Sequence, residues 1–410
     1  MYPHVFPREE TSCSNICFAR VCQYLGALCA VFLSMLLIAP FAWSQADDAG
    51  APVKWPSGAG ESLQSVVDAI ADGGTIKIAA GVHLLEDPVI LEGKKVSFEG
   101  AGTKSDKPKK FTHLVGPPPH PVADEEGNII LPAEDAVGLL TCLGGEIEVR
   151  NLVISGFDVG VLIKDDIVGN PSTGTVENCL VNETGRGVMS LSYGLLTVKD
   201  TEIADTNWNA ISVAPNFEGA IFAPGIGFSG GSVKLVNPGG AGIYLNHTIA
   251  TINAAVVLNA TAGGIVGFET KAVITNSFLI GNGEAGILLV DANVFPFFLN
   301  VIQNNFIANS VPFAGILGDG VSMWNSNGDV IHNNIFNNSR AGVSNFGSVV
   351  RLFENKIGCS TFDVQASESG GVPAVNDDLG GNLCGCGGPL VPCVGVGGPP
   401  QAPPMVGGLE

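Results

Sequence analysis

The chain has 410 residues, 55 of them Gly, and sets 39 acidic side chains against 19 basic ones, for a formal charge of −20. That deficit excludes a nucleic-acid partner, whose phosphates need a basic face, and it argues against a purely electrostatic grip on a polyanion. The length exceeds the usual single-core domain, a limit that a repeat fold escapes by growing along one axis.

Tyr24 to Trp43 is an apolar run preceded by Arg8 and Arg20. It ends on Ser44-Gln45-Ala46, with small residues at the −3 and −1 positions of a signal-peptidase site. Residues 1–46 are expected to be a signal peptide. The competing reading is a retained anchor, since the run is nearly long enough to span a bilayer. No later segment is long and apolar enough to span, so no stable membrane span is expected after cleavage, and the expected location is secreted or periplasmic. Cys142, Cys179, Cys359, Cys384, Cys386 and Cys393 then remain, and an even number in an exported chain points to disulfides. The tail from Cys384 to Cys393 lacks a Cys-x-x-Cys pair and a nearby His, which disfavours a metal site.

Residues 47–369 hold the folded body. In Glu61 to Gly102, Leu63, Val66, Val67 and Ile70 fall on one helical face, stopped by Asp72-Gly73-Gly74. A helix over 61–72 followed by three short strands with Gly corners is predicted. Residues 103–138 break the rhythm with the basic run Lys104–Lys110, then a Pro-rich and an acidic stretch, and are expected to be a loop excursion. After Ser369 the composition turns to Gly, Pro and Cys, so 370–410 is expected to be a disulfide-pinned cap and flexible tail.

The middle of the chain repeats. Aligned on one polar residue after a β-branched pair, the series is Asn151, Asn178, Asp200, Ala254, Asn276, Asn304, Asn333 and Asn355, with gaps of 27, 22, 54, 22, 28, 29 and 22. The 54 is two coils, one degenerate around Gly225 to Val236. Most anchors are followed nine to eleven residues later by Gly and Ile or Val, as in Gly264-Ile265, Gly286-Ile287 and Gly315-Ile316, and the Asp200 coil has Ala210-Ile211 instead. The runs are too short for helices and rich in Val, Ile and Thr. Short strands at this period give a parallel β-solenoid, whose crossovers are right-handed. Asn tolerates the left-handed corner, so Asn276, Asn304, Asn333 and Asn355 are expected to stack as one ladder.

The opening SLQSVVDAIADGGTIKIAAGVH resembles the entry of right-handed parallel β-helix proteins of the pectin-lyase-like superfamily: an amphipathic helix, a Gly-Thr-Ile turn, then a strand with Ala80 and His83 where the family has Pro and Tyr. The resemblance covers roughly residues 57–369. It implies an all-β, right-handed parallel β-helix with an N-terminal capping helix, and a superfamily rich in polysaccharide enzymes. The signature motifs of its polygalacturonases, pectin methylesterases and pectate lyases are absent, so no catalytic residue carries over.

Counting five residues past each Gly-Ile/Val gives one column along the solenoid, in which His247, Glu269, Asp291 and, one step early, Asp319 fall on consecutive coils. Neighbours in such a column stand roughly 5 Å apart, a separation at which carboxylates serve as an acid/base pair on a glycosidic bond or share a Ca²⁺. They equally suit an exposed acidic edge with no role. Trp324 and Phe297 are candidates for stacking on a sugar, and Lys271 for a substrate carboxylate. Two functions stay open: polysaccharide binding or processing by lyase, hydrolase or epimerase chemistry, and a non-catalytic surface or scaffold protein. No cofactor is identifiable beyond Ca²⁺, and nothing indicates an oligomeric state.

Overall fold

The computed structural model describes residues 51–397 except 59, 104–110, 118–135, 166–170, 193, 215–224, 228–231, 293–298, 314, 316 and 394–395. The expected signal peptide 1–46, the run Lys104–Lys110, and Phe297 lie outside the described residues. The class expected from the sequence, a right-handed parallel β-helix with an N-terminal capping helix, is the fold. Three sheets run the length of the solenoid: sheet A and sheet B with 13 strands each and sheet C with 12. Each coil contributes one strand to A, then B, then C. Apart from a closing hairpin in sheet B, the strand pairings among the described residues are parallel.

The core is built by inward residues stacked in register. On sheet A one column runs Ile252, Ile274, Ile302, Val330 and Leu352, coil upon coil, and all five are buried. The outward face of the same sheet reads Lys77, Glu99, Arg150, Glu177, Lys199 in one column. Signs alternate, and ion pairs link Lys77 to Glu99, Arg150 to Glu177 and Lys199 to Glu177. Slipping a strand by one residue would bring its apolar set to the surface. The charge ladder adds a penalty for pairing the wrong coils.

Helix Leu63–Ala69 closes the first coil. Ser62 caps it by accepting the Ser65 amide, and Leu63, Val66 and Val67 are buried. A strand the sequence reading did not anticipate, Val53–Trp55, pairs with Gly74–Ile78 at the edge of sheet A. Part of the predicted excursion also belongs to the solenoid: Thr112–Val115 is a sheet B strand between Gly81–Leu84 and Val153–Ser155.

The predicted Asn ladder is two ladders, offset by one residue. The paired strands set Ile302 beside Val330, so Asn304 aligns with His332 and Asn305 with Asn333. The outer position takes a left-handed backbone at Asn151, Asn178, Asp200, Ala254, Asn276, Asn304, His332 and Glu354. The inner position is a buried rail. The Asn333 carboxamide accepts the Asn305 amide at 2.9 Å, that of Asn355 accepts the Asn333 amide at 2.9 Å, and that of Asn382 accepts the Asn355 amide at 3.0 Å. Matching Val301 to Val330 by letter hid this, because inward packing and not residue identity sets the register.

The disulfide expectation holds for four of the six cysteines. Cys359 joins Cys386 and Cys384 joins Cys393, stapling the last coil. Cys142 and Cys179 are not joined. Cys142 ends a strand of sheet C, whereas Cys179 lies inside the corner between sheets A and B. Burial pushes the Cys179 thiol up to about 12.

Length varies at only some junctions. From the left-handed corner residue to the start of the next sheet B strand the step is two residues at Asn276, Asn304, His332 and Glu354. Four long connections flank sheet C, 116–136 and 309–318 before it and 215–224 and 291–299 after it, and a fifth, 100–111, joins sheet A to sheet B near the N-terminal end.

Candidate functional site

Sheet C is the sheet framed by these insertions, and connecting loops on a rigid scaffold are where binding residues concentrate. Its outward face is unusually apolar. Near the exit of its strands stand Phe268, Val290, Trp324 and Phe346, in register on consecutive coils. Two residues upstream are Tyr244, Val266 and Leu288, followed by the hydroxyls Ser322 and Ser344. Tyr244 and Phe268 are half-buried, with ring centroids 6.0 Å apart. Trp324 meets Phe346 edge-on at 5.0 Å. Trp324 is only 8% exposed, and its indole N–H donates to Ser322 Oγ at 3.0 Å. It is a floor for the strip rather than an open platform. The accessible rings are those of Tyr244 and Phe268, which sequence reasoning passed over because neither lies in a long loop.

The residue after each exit position turns the corner in a left-handed conformation: His247, Glu269, Asp291, Asn325 and Gly347. Three of the four residues in the predicted column therefore share one row. Each backbone amide donates to the next coil, His247 to Phe268, Glu269 to Val290 and Asp291 to Trp324. The side chains pair as well. His247 Nδ1 lies 2.9 Å from Glu269 Oε2, and the Asn325 carboxamide donates to Asp291 Oδ1 at 2.9 Å.

Asp319 does not belong to that row. Strand pairing sets it opposite Ala285, at the entrance of sheet C, six residues and roughly 20 Å along the strand from Asn325. The error came from taking Gly315-Ile316 as the repeat motif. The pair in register with Gly286-Ile287 is Gly320-Val321, and Gly315 stands in the connection before it. Asp319 is fully buried. Arg340 grips it through both carboxylate oxygens, with Nε at 2.7 Å, and Ser344 Oγ and the Ala341 amide also donate to it. Arg340 lies 5.2 Å over the Phe346 ring. Such a clamp supports the strip from beneath and leaves no lone pair for a substrate. On the preceding coil Glu284 is 3% exposed, and burial raises its carboxyl above the ordinary range.

Lys271 opens the sheet A strand Lys271–Thr275, two residues beyond Glu269. It is 4% exposed, and its Nζ has no hydrogen-bond partner. Burial lowers its ammonium to about 8, and Asp329 opposes the shift only partly. The Asp329 carboxylate is occupied by Arg351, at 2.6 Å through each oxygen. His332 is a corner residue with a left-handed backbone, and its Nε2 lies 2.9 Å from Glu354 Oε2. No group of His, Cys, Asp and Glu able to hold a metal occurs among the described residues. No described helix is long and apolar enough to cross a membrane.

No protein-family model matches the chain, and no curated protein matches it. Solved structures do resemble it in fold. The catalytic unit of a thermostable GH87 alpha-1,3-glucanase from Streptomyces thermodiastaticus strain HF3-3 is 15% identical over 83% of this chain and 70% of that one, with a TM-score of 0.41. The A-module of the Azotobacter vinelandii mannuronan C-5 epimerase AlgE6 is 14% identical over 83% and 95%, with a TM-score of 0.40. A mutant of the periplasmic alginate epimerase AlgG is 11% identical over 81% and 84%, with a TM-score of 0.42.

Proposed function

We propose that this chain is an exported β-helix protein that binds a polysaccharide along the exit edge of sheet C. The observation that carries the reading is the pairing of two rows. An apolar strip, open at Tyr244 and Phe268, runs beside a hydrogen-bonding row of His247, Glu269, Asp291 and Asn325. A sugar ring offers the complement, an apolar C–H face and a rim of hydroxyls, and aromatic faces bury such apolar surface well. The coil repeat of about 4.8 Å is close to the length of one sugar residue, so successive sugars meet successive coils. The disulfides at the C-terminal end fit an oxidising compartment.

Processing, whether by lyase, hydrolase or epimerase chemistry, would centre on Glu269 and Asp291. These carboxylates sit on adjacent coils at a spacing suited to acid/base work, with His247 on the next coil. A non-catalytic binding role draws support from a different observation: His247 already engages Glu269, and Asn325 engages Asp291. A screen of neutral and acidic polysaccharides, with and without Ca²⁺, separates the two. If the chain is an enzyme, the Glu269→Ala/Asp291→Ala double variant loses turnover altogether but only part of its binding, while Phe268→Ala weakens binding. Turnover that survives the double change removes the acid row from the mechanism. Binding with no turnover by the parent protein establishes the module. Failure to bind any glycan overturns the proposal.

A further inference from the structure

Resting on that reading, we infer that Lys271 is the subsite for an isolated anionic substituent, a carboxylate or a sulfate ester, on an otherwise uncharged polysaccharide. Among the described residues Lys271 is the one buried lysine, and its Nζ donates to nothing. An ammonium carries three donors, and burying it unpaired is costly unless a counter-charge arrives. Among the described residues no carboxylate accepts a hydrogen bond from it. The carboxylate that acts on it electrostatically, Asp329, is closed by Arg351. With its ammonium near 8, Lys271 is still mostly charged at neutral pH. Nζ is closed to solvent in this conformation, so an anion meets it once the side chain or its cover shifts, and then gains charge-assisted hydrogen bonds without displacing a protein hydrogen-bond partner.

Position ties the group to the proposed glycan path. Lys271 follows Glu269 by two residues, and its backbone amide bonds Thr248, the residue after His247. It therefore stands directly beyond the corner row, on the coils that present Tyr244 and Phe268.

The charge of the rest of the site fixes the density of anions on the ligand. A polymer charged at every sugar would set its next carboxylates beside Glu269 and Asp291, about one coil away. Like charges at that distance repel by about 1 kcal/mol or more, depending on the local dielectric. The chain as a whole carries −20. One anion on Lys271, flanked by uncharged sugars on the strip, avoids this repulsion.

The test uses the whole protein and three backbones: xylan, a linear β-glucan and mannan. Each is offered neutral, sparsely carboxymethylated, sparsely sulfated and densely carboxymethylated, with affinity read by titration calorimetry. On the best-bound backbone the sparsely charged forms should bind about tenfold tighter than the neutral form, the gain of one charged hydrogen-bonding contact. Comparing the carboxymethyl and sulfate arms identifies the anion. Lys271→Gln should abolish the preference, and Lys271→Arg should retain most of it. Equal affinity for neutral and sparsely charged forms overturns the inference and leaves the glycan-binding reading intact. Tightest binding to the densely charged form overturns it too, as does a preference that survives in Lys271→Gln. Failure of every form to bind overturns both. Should Lys271→Gln not fold, the neutral and sparse arms on the parent protein still decide.

Discussion

Replacing Lys271 by methionine should make the protein more stable at neutral pH, although it deletes a charged side chain from a protein with few cations. The folded ammonium titrates near 8 against an ordinary 10.5 because it is buried. At ~1.36 kcal/mol per pH unit, the difference is a penalty of about 3 kcal/mol. The residue is 4% exposed, so solvent screening does little to reduce it. The penalty is fully present below pH 8, fades as pH rises from 8 to 10.5, and is gone above 10.5, where lysine is neutral in both states. Urea unfolding followed by circular dichroism, on the parent and Lys271→Met at pH 7 and pH 10, measures this. Long repeat arrays need not unfold in one step, so the comparison is between midpoints of the sheet signal. A gain at pH 7 that shrinks by pH 10 is expected. A methionine variant that is less stable at pH 7 would show that Nζ has partners. A gain of equal size at both pH values would mean that packing, not charge, is responsible.

The two Asn rails should respond differently to substitution. Asn333→Ala strands the buried Asn305 amide and the Ile302 carbonyl that its carboxamide serves, a loss of roughly 2–4 kcal/mol seen as a lowered unfolding midpoint. Asn304→Gly, at an exposed left-handed corner, should cost under ~1 kcal/mol. Asp319→Ala leaves Arg340 without its buried partner and should cost about 3–5 kcal/mol. In a double-mutant cycle with Arg340→Ala, the combined loss should fall well short of the sum. In a chain lacking residues 1–46, thiol titration in denaturant without reductant should find Cys142 and Cys179 reactive and the other four blocked. Cys179, held near 12 by burial, should react only on unfolding.

The fold was legible because a solenoid writes its period into the chain. A polar corner must recur each coil, and the β-branched runs beside it are too short for any other element. The degenerate coil around Gly225 to Val236 was found from spacing alone, and its three strands are present. Register was harder. It is set by which side chains point inward, and a near-repeat such as VIQNNFIAN and VIHNNIFNN can be matched one residue out and still look right. The same weakness misplaced Asp319, because a Gly-Ile pair in a connection imitates one in a strand. His247, Glu269 and Asp291 were placed together correctly, since no insertion falls between their Gly motifs and the corner. The clamp of Asp319 by Arg340, and the open rings of Tyr244 and Phe268, depend on facing directions that no spacing rule encodes. Lys271 was suggested by charge alone, and its isolation shows only in the folded chain.

The two-residue step between sheets A and B, held from Asn276 to Glu354, has a consequence for how such a chain can change over time. An inserted residue along Asn305 to Asn382 would cut the buried Asn rail, so that stretch of the seam admits only gain or loss of whole coils, whereas nearer the N-terminal end, where no such rail runs, the same seam carries the connection 100–111. The junctions on either side of sheet C have only short rails, Ala260 to Asn282 and Ser310 to Asn338 before it and Ala292 through Ser326 to Ser348 after it, and already differ widely in length. Novelty can accumulate there without disturbing the spine. The molecule thus separates an edge that counts from an edge that experiments, and grafting a foreign loop beside sheet C should be tolerated where a single extra residue at the seam is not.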